Sequence, residues 1–97
     1  MRAVEVSDIV VSRCGRDSGM PMLVVGLEGE NILLLANGKH RRFERPKRKK
    51  RKHIEYRAAC DDWTRDKLRS TGRLSNSDVR KALALYAGNI DSEERGE

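Results

Sequence analysis

The chain predicts an α+β fold: a small antiparallel β-barrel or strongly curled sheet, followed by one or two C-terminal α-helices. Three observations carry this expectation. Short β-branched and apolar runs fill the first half, separated by clusters of turn-forming residues. The second half changes to helical periodicity with a capping pattern. With 97 residues there is room for one compact core and an appendage, and not for two cores.

The first strand is expected around Val4, Val6 and the run Ile9, Val10 and Val11, ending in residues 13–21, which are dense in turn formers. Residues 22–26 form a second strand and 28–31 its polar turn. The third strand, residues 32–36, is too continuously apolar to alternate and is expected to be buried on both faces or tightly curled. Asn37 and Gly38 are the pair that a two-residue type I′ hairpin favours, because both central positions need positive φ. Residues 39–43 then read as the returning strand. Pro46 ends it, having no amide proton for a ladder. The six consecutive cations at 47–52 are expected to be an extended, mobile arm. Residues 53–57 form a last short strand or lie across the barrel, which spans residues 1–57.

Residues 58–88 read as a helical appendage. In 61–70 acids come first and bases last, as the helix dipole prefers, and Gly72 supplies a stop. The apolar face of this helix is thin, with only Trp63 and Leu68. A second helix is better specified. Ser75 and Asp78 match a capping box, Leu74 can staple to Val79, and Val79, Ala82, Leu83 and Tyr86 make one stripe. Gly88 suits the left-handed C′ position. Residues 89–97 are expected to be a flexible acidic tail.

Charge distribution says more than total charge. The net of +6 conceals a strip at residues 39–53 with ten cations against Glu44 alone, a net of +9. Outside it, 11 cations and 14 carboxylates leave −3. A mildly acidic scaffold with one dense cationic strip is the footprint of a polyanion partner. Phe43, Tyr56, Trp63 and Tyr86 are the only aromatics, too few for a stacking platform that binds single strands. The capped helix offers only Arg80 and Lys81 on its polar face, poor material for reading a major groove.

Other classes find little support. Neither a signal peptide nor a run of ~18 apolar residues is present, so a cytoplasmic protein with no membrane partner is expected. Cys14 and Cys60 are expected to be free thiols. Together with His40 and His53 they lack metal-ligand spacing, so neither metal nor cofactor is expected. No nucleophile elbow, Walker loop or catalytic set is seen, so the chain reads as non-enzymatic, without a small-molecule substrate. Trp63 could stack a base, although anchoring its helix is the commoner duty. The stripe from Val79 to Tyr86 reads as packing before partner docking.

Residues 8–26 resemble a KOW motif, a strand–loop–strand unit whose loop is bounded by glycines, here Gly15 and Gly19, before the apolar core Leu23, Val24 and Val25. Ser18 stands where many such loops carry lysine. Residues 36–53, with Asn37, Gly38 and Lys39 ahead of a proline-interrupted basic run, are similar to the small bacterial KOW-containing proteins that are themselves similar to eukaryotic and archaeal large-subunit ribosomal proteins. Residues 72–83 resemble their terminal helix. The resemblance implies an SH3-like barrel and RNA binding around the ribosome, in translation, with ribosomal RNA and the large subunit as partners.

Phosphate contacts are therefore expected from Lys39, Arg41, Arg42, Arg45, Lys47, Arg48, Lys49, Lys50, Arg51, Lys52 and His53, with Arg13 and Arg16 of the turn-rich loop as second-rank candidates. Lys39, Arg41 and Arg42, on a barrel strand, would orient the RNA, and 47–52 would supply affinity. The alternative is a protein-interaction module that docks a translation or transcription complex through the barrel and terminal helix.

Overall fold

The computed structural model describes residues 3–16 and 18–94, with side chains through residue 88. Five strands, β1 (Asp8–Ser12), β2 (Met22–Glu28), β3 (Ile32–Ala36), β4 (Lys47–Lys50) and β5 (Ile54–Ala59), precede two helices, α1 (Asp62–Thr71) and α2 (Asn76–Glu94). The strands form one antiparallel sheet in the order β4-β3-β2-β1-β5, so β4 and β5 are its edges. Only a single 3-10 turn, Arg51–His53, joins those two edges. Five flat strands would set them about 19 Å apart at ~4.8 Å per step, whereas four Cα–Cα steps reach at most about 15 Å. The sheet must curl. Register shifts between Ile9 and Val10 and between Val24 and Gly26 help it do so. No ladder joins β4 to β5 among the described residues, so the curl stays open.

Alternation along the strands produces two cores. Ile9, Leu23 and Ala36 face the helices and pack with Leu68, Leu74 and Val79. Val10, Met22, Val24, Leu33, Leu35 and Ile54 form the second cluster. It includes no helix residue, so the curvature of the sheet is what covers it. Burying each such aliphatic side chain contributes about 1.5–3 kcal/mol. The third strand is apolar on both faces as expected: Leu33 and Leu35 point into the curl, Ala36 to the helices, and Ile32 and Leu34 are half-buried.

The first strand begins later than expected. Ser7 takes φ 83° and its amide donates to the Val24 carbonyl at 2.7 Å, so the extended run starts only after it; Val4 and Val6, before it, pack against different cores. The Asn37-Gly38 hairpin does not form, and residues 39–43 are not a strand; the returning strand is β4, which starts eight residues later, at Lys47. Pro46 precedes that strand instead of ending one. Its fixed φ suits the extended entry, just outside the ladder where no N–H is needed.

Both helices begin and are joined as their caps dictate. The Asp61 side chain accepts from the Thr64 amide at 3.0 Å, and Gly72 closes α1 at φ 73°. Ser75 and Asp78 exchange reciprocal bonds of 3.0 and 3.1 Å at the start of α2. Lys67 Nζ donates to Asp78 Oδ2 at 2.6 Å and ties α1 to α2. Val79 and Ala82 are buried, and Leu83 and Tyr86 pack beside them, so the stripe is packing. Trp63 does not anchor α1. It is 60% exposed, with the Lys67 ammonium 5.1 Å from its ring centroid, while Thr64 and Leu68 are the buried positions. Five positions apart, Trp63 and Leu68 lie about 140° apart around the helix, so one seam cannot bury both.

Gly88 does not end α2, which runs on to Glu94, so the expected flexible tail is helical over most of its length; residues 95–97 lie outside the described residues. Mid-helix glycine costs only about 1 kcal/mol relative to alanine, and the Ala- and Leu-rich turns before it offset that.

Candidate nucleic-acid interface

Residues 37–46, which carry the first half of the strip, form an ordered loop built around Asn37. Its Oδ1 accepts from the Lys39 and Arg41 amides at 2.9 and 3.0 Å. The amides of Asn37 and Gly38 donate back to the Arg41 carbonyl at 2.8 and 3.0 Å. An asparagine that satisfies its own following backbone this way competes directly with a hairpin ladder. The loop is then clamped to α2. Arg80 Nη1 donates to the Gly38 carbonyl at 2.7 Å, and the Phe43 amide donates to Asn76 Oδ1 at 2.7 Å. Asn76 Nδ2 donates to both oxygens of Glu44 at 2.9 and 3.0 Å. That amide holds the Glu44 carboxyl below its ordinary range, so the strip's one acid is kept charged and turned toward α2.

The second half of the strip is not an arm. Lys47–Lys50 is β4, paired with β3 in the register Leu35↔Lys47 to Ile32↔Lys50. Four cations can make an edge strand because β3 offers an apolar surface for their stems while the ammonium groups stay wet, and edge lysines also discourage pairing with a second chain. The pleat divides them. Lys47 and Lys49 share a face with Leu35 and Leu33 and are half-buried, whereas Arg48 and Lys50 point to the opposite face and are exposed. Arg48 meets Glu28 at 2.6 Å in an exposed ion pair.

Arg51 serves the fold. Its Nε donates to the Glu30 carbonyl at 2.9 Å and Nη1 to the Val4 carbonyl at 2.8 Å. Together with the 2.7 Å bond from its amide to the Asn31 carbonyl, this pins the β2–β3 turn and the segment before β1 to the end of β4. Beside it, Lys50 and Lys52 edge a cavity of about 360 Å³ with Asn31 and Ile32. His53 is half-buried, and its carbonyl accepts from the Arg13 amide at 2.8 Å. The Arg13 side chain leans to Glu55 at 4.0 Å, while Arg16 is exposed in the loop between β1 and β2.

That loop brings the two halves of the strip into one neighbourhood. Gly15 takes φ 90°, and a Cβ on it would lie 3.0 Å from Lys49 Nζ, so the lysine passes close over its backbone. At the loop's other end Met20 and Pro21 share a cavity with Lys39 and His40. Lys49, the glycine-bounded loop and Lys39 therefore follow one another across the surface. Lys50 and Lys52 lie apart, toward the β2–β3 turn. Arg41 is half-buried, and Arg42 and Arg45 are exposed on the clamped loop. Among the described residues, Lys39, Arg41, Arg42, Arg45, Lys49, Lys50 and Lys52 form no salt bridge.

Asn76 and Arg80, which hold the loop, escape sequence reasoning. In the sequence Arg80 is only a cation on a polar helix face, and nothing marks its long-range partner. Both thiols are free, Cys14 exposed and Cys60 buried, with burial pushing the Cys60 thiol up to about 11. Among the described residues, no cluster of ligands could hold a metal ion, and no helix is long and apolar enough to cross a membrane. No protein-family model matches the chain, and no curated protein matches it significantly.

Proposed function

We propose that this chain is a non-catalytic, cytoplasmic RNA-binding protein that neutralises backbone phosphates through its basic strip, in association with ribosomal RNA, and that its curled sheet is an SH3-like barrel of the KOW type. The fold reading is supported by the five short antiparallel strands, the 3-10 turn between β4 and β5, and the glycine-bounded loop between β1 and β2. One observation carries the functional reading: ordered backbone holds Lys39 and Lys49 at either end of that loop, with Arg16 on the loop and Arg41 and Arg42 on its clamped neighbour. Gathering cations on one surface is unfavourable until polyanion phosphates neutralise them. Arginine supplies forked contacts and lysine point charges, so backbone recognition by shape is the expected mode.

Co-sedimentation with ribosomal subunits tests the reading. The protein should travel with the large subunit at low salt and be released at high salt. A second reading, a module that docks a protein partner, draws on the exposure of Trp63 at 60% and Leu85 at 54%. A complex that survives both nuclease and high salt would favour that second reading over RNA binding.

A further inference from the structure

A groove between the loop of residues 13–21 and α2 combines features that the phosphate strip alone does not use. Its floor is apolar, formed by Met20, Pro21, Leu83 and Ala84. Its rim is polar and cationic, with Lys39, His40 and Arg80, and no carboxylate lines it among the described residues. The volume, about 360 Å³, is at the lower end of the range of small-ligand sites, roughly 300–1,000 Å³. That suits one planar group and not a helix. Met20 is 40% exposed, Ala84 is also exposed, and Leu83 is half-buried.

The walls are fixed. Arg80 Nη1 is bound to the Gly38 carbonyl, and Asn37 on the groove wall has its Oδ1 occupied by two backbone amides and its Nδ2 3.6 Å from Met20 Sδ. A preformed slot asks its occupant to bring little ordering cost beyond its own. The occupant that fits must present a flat apolar face with negative charge beside it. An unpaired nucleotide does so: the base lies on the floor and its phosphate meets Lys39 and His40 at the rim. The continuation of that rim into Arg41 and Arg42 gives the flanking phosphates a path along the strip.

We propose that this groove receives a single base turned out of an RNA helix, so that the protein selects RNA carrying a bulged or unpaired nucleotide. The inference rests on the RNA-binding reading and narrows it from any phosphate backbone to a structural class of RNA. It differs from a stacking platform, because one apolar slot takes one base and leaves the rest of the RNA to phosphate contacts.

Three RNA hairpins test it: one fully paired, one with a single bulged nucleotide, and one with an abasic residue at the bulge, which keeps the phosphate and removes the base. The protein should bind the bulged hairpin at least about fivefold more tightly than the other two, the scale expected for one buried base. Ala84→Trp fills the groove from an exposed helical position. It should abolish that preference while leaving affinity for the paired hairpin and the circular dichroism spectrum unchanged. Equal affinity for all three RNAs overturns the inference and leaves RNA binding standing, whereas no binding to any of them removes the RNA reading itself. Preference that survives Ala84→Trp would place the base elsewhere and also overturns it. Binding of an acidic peptide to the wild type but not to Ala84→Trp, without discrimination among the RNAs, assigns the groove to a protein partner and overturns it too.

Discussion

Arg80 Nη1 on α2 donates a 2.7 Å hydrogen bond to the carbonyl of Gly38, a residue 42 positions away in the chain. Through this bond, and through Asn76 to Phe43 and Glu44, a terminal helix holds the loop that carries Lys39, Arg41 and Arg42. The helix therefore shapes the proposed interface from behind, by setting where the loop's cations stand. Charge presentation and helix docking are one structural property.

Gly38→Ala should uncouple them. Gly38 has φ 80°, and an added Cβ would lie 2.6 Å from the Asn76 carbonyl oxygen and 2.8 Å from Arg80 Cγ. Backbone strain of this kind costs about 1–3 kcal/mol. Urea denaturation should show that loss, and RNA affinity should fall although no charge has changed. Arg80→Ala removes one charge-assisted bond and should cost at most about 1.5–3 kcal/mol, and Lys81→Ala, next to it, should be close to neutral.

Arg51 separates structural from binding cations. Arg51→Ala removes two charge-assisted bonds to the Glu30 and Val4 carbonyls and should destabilise the fold by at most about 1.5–3 kcal/mol for each bond removed. Arg51→Lys should recover little, because a point charge cannot span two carbonyls in fixed directions. Replacing all of residues 47–52 with serine would therefore unfold the edge of the sheet as well as strip its charge. The denaturation midpoint distinguishes the two effects.

Paired substitutions on β4 should read out its two faces. Lys47→Ser with Lys49→Ser discharges the face beside Gly15, and Arg48→Ser with Lys50→Ser discharges the other. Only the first pair should sharply weaken RNA binding in a filter assay. It should also lower the salt slope by about two, near one for each phosphate no longer neutralised. The wild type, if it engages six to ten phosphates, should lose about 10³–10⁵ in affinity between 50 and 200 mM salt. Removing the Arg48–Glu28 pair should cost at most about 1 kcal/mol of stability, since it is exposed.

Acid should loosen the junction of α1 and α2. The Lys67 ammonium, followed by the Ser75 amide, holds the Asp78 carboxyl below its ordinary range. A depressed folded-state pKa means the native state binds fewer protons than the unfolded one, so this contribution is present above the unfolded value, about 3.9, and is lost as pH falls through the lower folded value. Thermal melts of the wild type and Asp78→Asn should differ near neutrality and converge as the pH drops below about 4. A constant gap across that window would show that the charge plays no part.

Local features were legible in the chain alone. Helix starts are written in contiguous residues, because Asp61 with Thr64 and Ser75 with Asp78 each close a bond within three positions. The apolar runs of β2 and β3 marked them as strands, and the stripe from Val79 to Tyr86 needed only the helical period to assign its face. Where a segment had two local options, tertiary structure chose. Asn37-Gly38 could have turned a hairpin, but Arg80 and Asn76 reward the loop instead. Residues 47–50 could have stayed solvated, but β3 supplied an apolar partner that no charge count reveals. Arg51 reads as one more cation in a run of six until its carbonyl partners, 21 and 47 positions away, are brought to it. Composition concentrated the positive charge at residues 39–53; the pleat of one edge strand and the grip of one helix decided which of those charges face together.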